Sequence, residues 1–175
     1  MTKHFIKEQY DVDEAGATKA FGKGERREDY ADAWRATGNA VLVGLPGSGK
    51  ADLARLLGKR TGQKVLQPAD PEEAVEALKG EGVIIVLDDA LVEHPLVTPL
   101  IHGAGKVFYL MADTRLLSAR VAERGGGEDM DELWRAMSAR LADIEPTFYS
   151  VLHFIMQGVR SPEELVDDAM VKLGY

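Results

Sequence analysis

The chain has no cysteine, which excludes a disulfide framework and thiol chemistry and fits a reducing compartment. It has no apolar run approaching the ~20 residues needed to span a bilayer, and Met1 to Tyr10 lacks the apolar core of a signal peptide. A cytoplasmic location is therefore expected. Positive charge is in the minority: 21 Lys and Arg against 29 Asp and Glu leave a net charge of −8, with no clustered basic surface. That balance disfavours nucleic acid and anionic membranes as partners and favours a small molecule or a protein. The four histidines, His4, His94, His102 and His153, form no metal-ligand spacing, and no nucleophile elbow is visible. What remains, 175 residues with 45% hydrophobic and 29% charged side chains, is the composition of an ordinary globular domain.

Against these absences stands Ala40-Val41-Leu42-Val43-Gly44-Leu45-Pro46-Gly47-Ser48-Gly49-Lys50-Ala51-Asp52. Gly44, Gly49 and Lys50 satisfy the G-x-x-x-x-G-K pattern of a phosphate loop, with an apolar strand before it and a helix-like Leu53-Ala54-Arg55-Leu56-Leu57 after it. Backbone N–H groups of Gly44, Gly47, Ser48 and Gly49, in the loop shaped by Pro46, can converge on an anion there, the helix adds its positive end, and Lys50 reaches terminal phosphates. The pattern next requires a Ser or Thr hydroxyl for magnesium; Ala51 offers none. Asp52 then places a carboxylate in the first helical turn. At ~5 Å and an effective dielectric of ~20, its repulsion of a phosphate costs roughly 3 kcal/mol before screening. With no phosphate present the same charge favours the helix terminus by about 0.3–1 kcal/mol. Asp52 therefore reads either as a stand-in for an anion or as a displaced metal ligand.

Residues 1–38 read as an extension, partly helical, and 39–175 as the main domain. Within the extension Arg26 to Trp34 can form a short helix with Tyr30, Ala33 and Trp34 on one face, either docking on the core or engaging a protein partner. Beyond the phosphate loop, Gln63 to Leu66 reads as a second strand, and Asp70-Pro71-Glu72-Glu73 opens a helix capped by Asp70. Gly82 to Asp89 is an apolar strand ending in two carboxylates, and Lys106 to Leu110 is another buried strand. Helices are expected over Thr114 to Arg124 and Met130 to Leu141, separated by Gly125-Gly126-Gly127. Val151 to Met156 reads as the final strand, and Ser161-Pro162-Glu163-Glu164 caps a terminal helix. Alternation of this kind predicts a doubly wound α/β fold around a five-stranded parallel sheet.

Asp88, at the carboxyl end of its strand, stands where a phosphate-loop protein holds magnesium; Asp88 and Asp89 are also the candidate catalytic acids. The competing reading for Asp88 is a turn or capping carboxylate. Arg120 and Arg124 approach the triple glycine and are candidates for closing over phosphates, whereas Arg115 fits a solvated helix face.

Asn39 to Leu173, through its phosphate loop, the Lys106–Leu110 strand with its following helix, and Glu145-Pro146-Thr147-Phe148-Tyr149, resembles the shikimate kinase family. The resemblance implies ATP with magnesium and transfer of the γ-phosphoryl group to a hydroxyl of shikimate, a small hydroxylated metabolite. It implies phosphate contacts from Gly44, Gly47, Gly49 and Lys50, a place beside adenine for Arg120, and a lid role for Arg124. The departures are specific. Gln67-Pro68-Ala69 stands where the family has Asp-x-Asp, and Asp88-Asp89-Ala90 stands where it has three glycines. The substrate-binding segment is shorter by roughly thirty residues, and Arg140 is the nearest counterpart of a later substrate arginine. Two functions follow as expectations: a phosphotransferase with an altered metal and substrate site, or a catalytically silent relative acting as a binding or regulatory module.

Overall fold

The computed structural model describes residues 37–125 and 129–175. The helix expected over Arg26–Trp34, and the extension that contains it as far as residue 36, lie outside the described residues.

Among the described residues the elements are, in order, β1 (Ala40–Val43), α1 (Lys50–Thr61), β2 (Lys64–Leu66), α2 (Pro71–Lys79), β3 (Val83–Val86) and α3 (Asp89–Val92), then α4 (Thr98–Ala104), β4 (Lys106–Met111), α5 (Thr114–Gly125), α6 (Met130–Val151), β5 (Phe154–Gln157) and α7 (Pro162–Leu173). The five strands form one sheet in the order β2-β3-β1-β4-β5, with every pairing parallel. The expected parallel, doubly wound sheet is thus present.

The two faces of the sheet come from the period-2 alternation of the strands. Val41, Val43, Ile85, Val107 and Tyr109 face one core with Ala74 and Leu78 of α2, Ile101 of α4, Leu117 of α5 and Ile144 and Phe148 of α6. Ala40, Leu42, Ile84, Phe108 and Leu110 face the other, against Leu53 and Leu57 of α1 and Leu165, Val166 and Ala169 of α7. Because both faces are covered, β1 is buried at all four positions and reads as a continuous apolar run.

One polar side chain ties the amino-terminal edge of the sheet together. Asn39 is 1% exposed; its Nδ2 donates to Gly80 O at 2.7 Å and Ala104 O at 2.9 Å, while its Oδ1 accepts from Val83 N at 3.0 Å. Each of those backbone groups would otherwise stand at an element end without a partner.

Three elements have bounds that differ from expectation. The helix expected to end at Leu141 runs to Val151, with Pro146 inside it, and the last strand is Phe154–Gln157 rather than Val151–Met156. Ile144, Phe148 and Val151 fall at helical spacing and are all buried, so packing on the sheet carries the helix through a residue that removes one backbone hydrogen bond. The β3 strand ends at Val86, because Asp88 already serves as the N-cap position of α3. The helix caps read from sequence are formed: Asp70 Oδ1 accepts from Glu73 N at 2.9 Å, and Ser161 with Glu164 closes a capping box.

Candidate active site

The carboxyl ends of β1, β3 and β4 meet at the phosphate loop, as expected where a parallel sheet gathers its ligand-binding loops. The loop turns on glycines held in left-handed conformations. Gly47, at φ 81°, lies so close to α5 that a Cβ would meet Leu117 O at 2.8 Å. Gly49, at φ 92°, is the N-cap residue of α1, and a Cβ there would meet nothing within 4 Å. The first glycine is thus required by packing; the second opens the helix terminus to the space in front of it. Ser48 is 1% exposed and its Oγ is a buried hydroxyl without a hydrogen-bond partner among the described residues.

Lys50 folds back along the loop. Its Nζ donates to Gly44 O at 2.7 Å and Leu45 O at 3.1 Å, and the side chain is buried. Burial pulls its ammonium below the ordinary lysine value, while the charges of Asp88 and Asp89 oppose that shift. A cation held dry between two carbonyls, with carboxylates nearby, is ready to meet an anion at low desolvation cost.

A cavity of about 500 Å³ lies in front of the loop, lined along the loop by Pro46, Gly47, Ser48, Gly49, Lys50, Ala51 and Asp52, and on its far side by Gln67, Asp88 and Arg124. A second, of about 170 Å³, lies on the other side, lined by Gly47, Gly49, Asp52, Arg120, Arg124 and Arg160 among others. The structure therefore brings Gly47, Ser48, Gly49, Lys50, Ala51, Asp52, Asp88 and Arg124 to one cavity, with Gly44 beneath it as an acceptor for Lys50.

The remaining candidates have found protein partners. Asp89 accepts from Arg140 Nε at 2.5 Å, and the two terminal nitrogens of Arg140 donate to Glu93 at 3.0 and 2.9 Å. Hydrogen bonds to Glu93 chiefly hold the Arg140 guanidinium further toward its charged form. Arg120 lines the smaller cavity, but its Nη1 donates to Gly47 O at 3.1 Å and Gly158 O at 2.9 Å, clamping the phosphate loop to the turn after β5. Arg115 stacks 4.4 Å over Trp134, as a helix-face residue. Asp52 pairs with Arg55 within its own helix and with Arg124 of α5, both at 3.7 Å.

Sequence reasoning missed Gly158 and Arg160. Both follow the last strand of the sheet at its carboxyl end, a position signal that would have found them had the strand been taken to end one residue later, at Gln157.

A nucleotide fits this loop: Gly49 leaves open the space a side chain would fill, and Ser48 carries an unanswered polar atom. For magnesium the fit is narrower. Among the described residues no three His, Cys, Asp or Glu side chains are grouped to hold a metal. Ala51 contributes nothing; the carboxylates lining the cavity are Asp52, which is paired with Arg55 and Arg124, and Asp88. Magnesium commonly takes one or two carboxylates and completes its shell with phosphates and water, which one aspartate permits.

No protein-family profile matches the chain. Nor does any curated protein sequence match it significantly. Solved structures do match. A shikimate kinase from Bacteroides thetaiotaomicron superimposes with a TM-score of 0.68 at 15% identity, covering 78% of this chain and 98% of that one. A shikimate kinase from Acinetobacter baumannii, in complex with shikimate, gives 0.66 at 16% identity, covering 82% and 97%. A deoxyadenosine kinase from M. mycoides with bound dATP gives 0.53 at 12% identity, covering 78% and 100%. At these identities the likeness is one of fold: the chain has the shikimate-kinase-like architecture shared by several phosphate-loop kinases.

Proposed function

We propose, from this kinase-like phosphate-loop fold, that the chain binds a nucleoside triphosphate at Gly44–Asp52 and transfers its terminal phosphoryl group to the hydroxyl of a small metabolite. The observation that carries this reading is the shared cavity: Lys50, the open N-terminus of α1 at Gly49, and Asp88 all bear on one space of about 500 Å³. Phosphoryl transfer asks mainly for positioning and neutralisation of charge. The loop amides and Lys50 would hold the phosphates. Asp88, if not engaged with a metal, would accept the acceptor's proton as the acceptor oxygen bonds phosphorus and the bond from phosphorus to the nucleoside diphosphate breaks. Magnesium, when bound, supplies neutralisation of phosphate charge, and Asp88 is the side chain that would hold it. The acceptor side, with Gln67, Pro68 and Ala69 in place of carboxylates, differs from the pattern that the resemblance implied, so the acceptor need not be shikimate.

A second reading rests on Ala51. Without a hydroxyl at that position the chain can retain the nucleotide as a structural or regulatory ligand without turnover. The two readings share the binding step and part at catalysis. Calorimetric titration of ATP with and without magnesium tests the first step, and absence of binding at millimolar ATP overturns both. Release of ADP over a panel of hydroxylated acceptors then separates them: turnover supports the phosphotransferase, and tight binding with none supports the module.

A further inference from the structure

The two cavities at the phosphate loop share five lining residues, Gly47, Ser48, Gly49, Asp52 and Arg124. Three belong to the loop itself. The other two, Asp52 from the first turn of α1 and Arg124 from the last turn of α5, face each other at 3.7 Å. Their pair therefore stands on the partition between the larger and the smaller cavity, above the loop. A ligand confined to one cavity can avoid it; a ligand that spans both must pass it.

Charge decides what that passage involves. Asp52 is the one acidic side chain in the first turn of α1, the end at which the helix dipole favours an anion. A polyanion arriving there meets a like charge already in place. Arg124 is the cation nearest to that charge across the gap, and it is neutralised while paired. Both side chains are about half exposed or more, at 49% and 65%, so the pair is weak and can exchange partners without unfolding anything. Arg55 gives Asp52 a second partner at 3.7 Å on its own helix, so the carboxylate keeps a counter-ion when Arg124 leaves.

We propose that Asp52 and Arg124 form an electrostatic gate between the two cavities, and that a phosphate chain spanning them binds by drawing Arg124 away from Asp52. Asp52 is then a specificity-determining residue. It lowers affinity for every polyanionic ligand in proportion to charge, and it makes productive binding depend on a phosphate strong enough to compete for Arg124. This inference rests on the nucleotide-binding reading above.

Its test is a double-mutant cycle in the full chain, with dissociation constants for ATP and for adenosine measured by calorimetry in chelator at moderate salt. Asp52→Asn is expected to tighten ATP about fivefold to twentyfold and to leave adenosine unchanged. Arg124→Gln is expected to weaken ATP more in the Asp52→Asn background than in the parent, because only there is Arg124 already released. Raising the salt should shrink both effects. Both side chains are exposed, and circular dichroism checks that the variants keep the fold. If the parent binds ATP and Asp52→Asn binds it no better, or if the two substitutions are additive, the gate is wrong while the nucleotide site stands. If no variant binds ATP, the nucleotide reading itself fails and the gate with it.

Discussion

Arg140 Nε donates to Asp89 at 2.5 Å while its two terminal nitrogens grip Glu93, so one arginine of α6 closes over the carboxylates at the two ends of α3, Asp89 at its start and Glu93 just past its end. The arginine nearest to a substrate-binding role by its place in the sequence is thereby a structural tie between two helices. Asp89 is bound into the same tie, which leaves Asp88 as the carboxylate of that strand end lining the cavity.

Removing this tie is expected to destabilise the domain. Arg140→Ala strands Asp89, 17% exposed, and Glu93, 45% exposed, without their cation. A cost of about 1–3 kcal/mol in urea denaturation is expected, between the values for surface and buried pairs. Arg140→Lys recovers less than half of it, because an ammonium cannot reproduce the fork. Equal stability of Arg140→Ala and the parent would contradict the assignment.

His153 predicts a pH dependence of stability. Its Nδ1 accepts from Val107 N at 3.0 Å and its ring stacks on His102 at 4.1 Å. Burial, and then the neighbouring His102, pull its pKa from 6.5 down to about 4. The unfolded chain therefore binds a proton at this residue more readily than the folded one between those limits. Stability from this group is complete above pH 6.5 and is lost as the pH falls toward 4. Discounted for its partial exposure, the loss is about 1–2 kcal/mol. His153→Asn keeps an acceptor near Val107 N and should flatten that part of the profile.

Gly47→Ala tests the packing of the phosphate loop. A Cβ at φ 81° would lie 2.8 Å from Leu117 O, a backbone atom of α5 that cannot step aside alone. A loss of about 2 kcal/mol in stability, with weaker ATP binding as the loop shifts, is expected from the strain. Gly49→Ala meets no neighbour within 4 Å, so it should cost less stability and act chiefly on ligand affinity.

Lys50→Met separates binding from folding. The methionine retains an apolar stem in the buried channel but leaves Gly44 O and Leu45 O without their donor. ATP affinity should fall at least about tenfold, while stability falls by only about 1–2 kcal/mol. Unchanged ATP affinity would remove Lys50 from the site.

Ala51→Ser tests the metal. Restoring a hydroxyl beside the phosphates should raise the ratio of ATP affinities with and without magnesium about threefold to tenfold, leaving affinity in chelator nearly unchanged. No change in that ratio would mean that magnesium is held elsewhere or not at all.

Much of the architecture was legible in the residues. Val41-Leu42-Val43 running into Gly44-Leu45-Pro46-Gly47 announced a buried strand and a phosphate loop, because glycines in that spacing serve little other purpose before a helix. Asp70 and Ser161 announced helix starts through local hydrogen bonds that involve only neighbouring residues. The extent of α6 was not legible, since Pro146 argued for a break and only the burial of Phe148 and Val151 on the sheet overrides it. The role of Asn39 as a buried three-way tie was not legible, because its partners Gly80, Val83 and Ala104 are distant in the chain.

The sequence by itself determined the sheet, the loop and the loss of the hydroxyl at Ala51, for these follow from periodicity, glycine spacing and the chemistry of single side chains. Only the tertiary structure decided which charges are still available to a ligand. Asp88 and Asp89 are adjacent in sequence, yet Asp88 opens on the cavity and Asp89 is bound to Arg140. Arg124 and Asp52 are 72 positions apart by their residue numbers and stand 3.7 Å from each other across the loop. Charge acts through distance in space, and that distance is fixed by how α1, α3, α5 and α6 pack on the sheet.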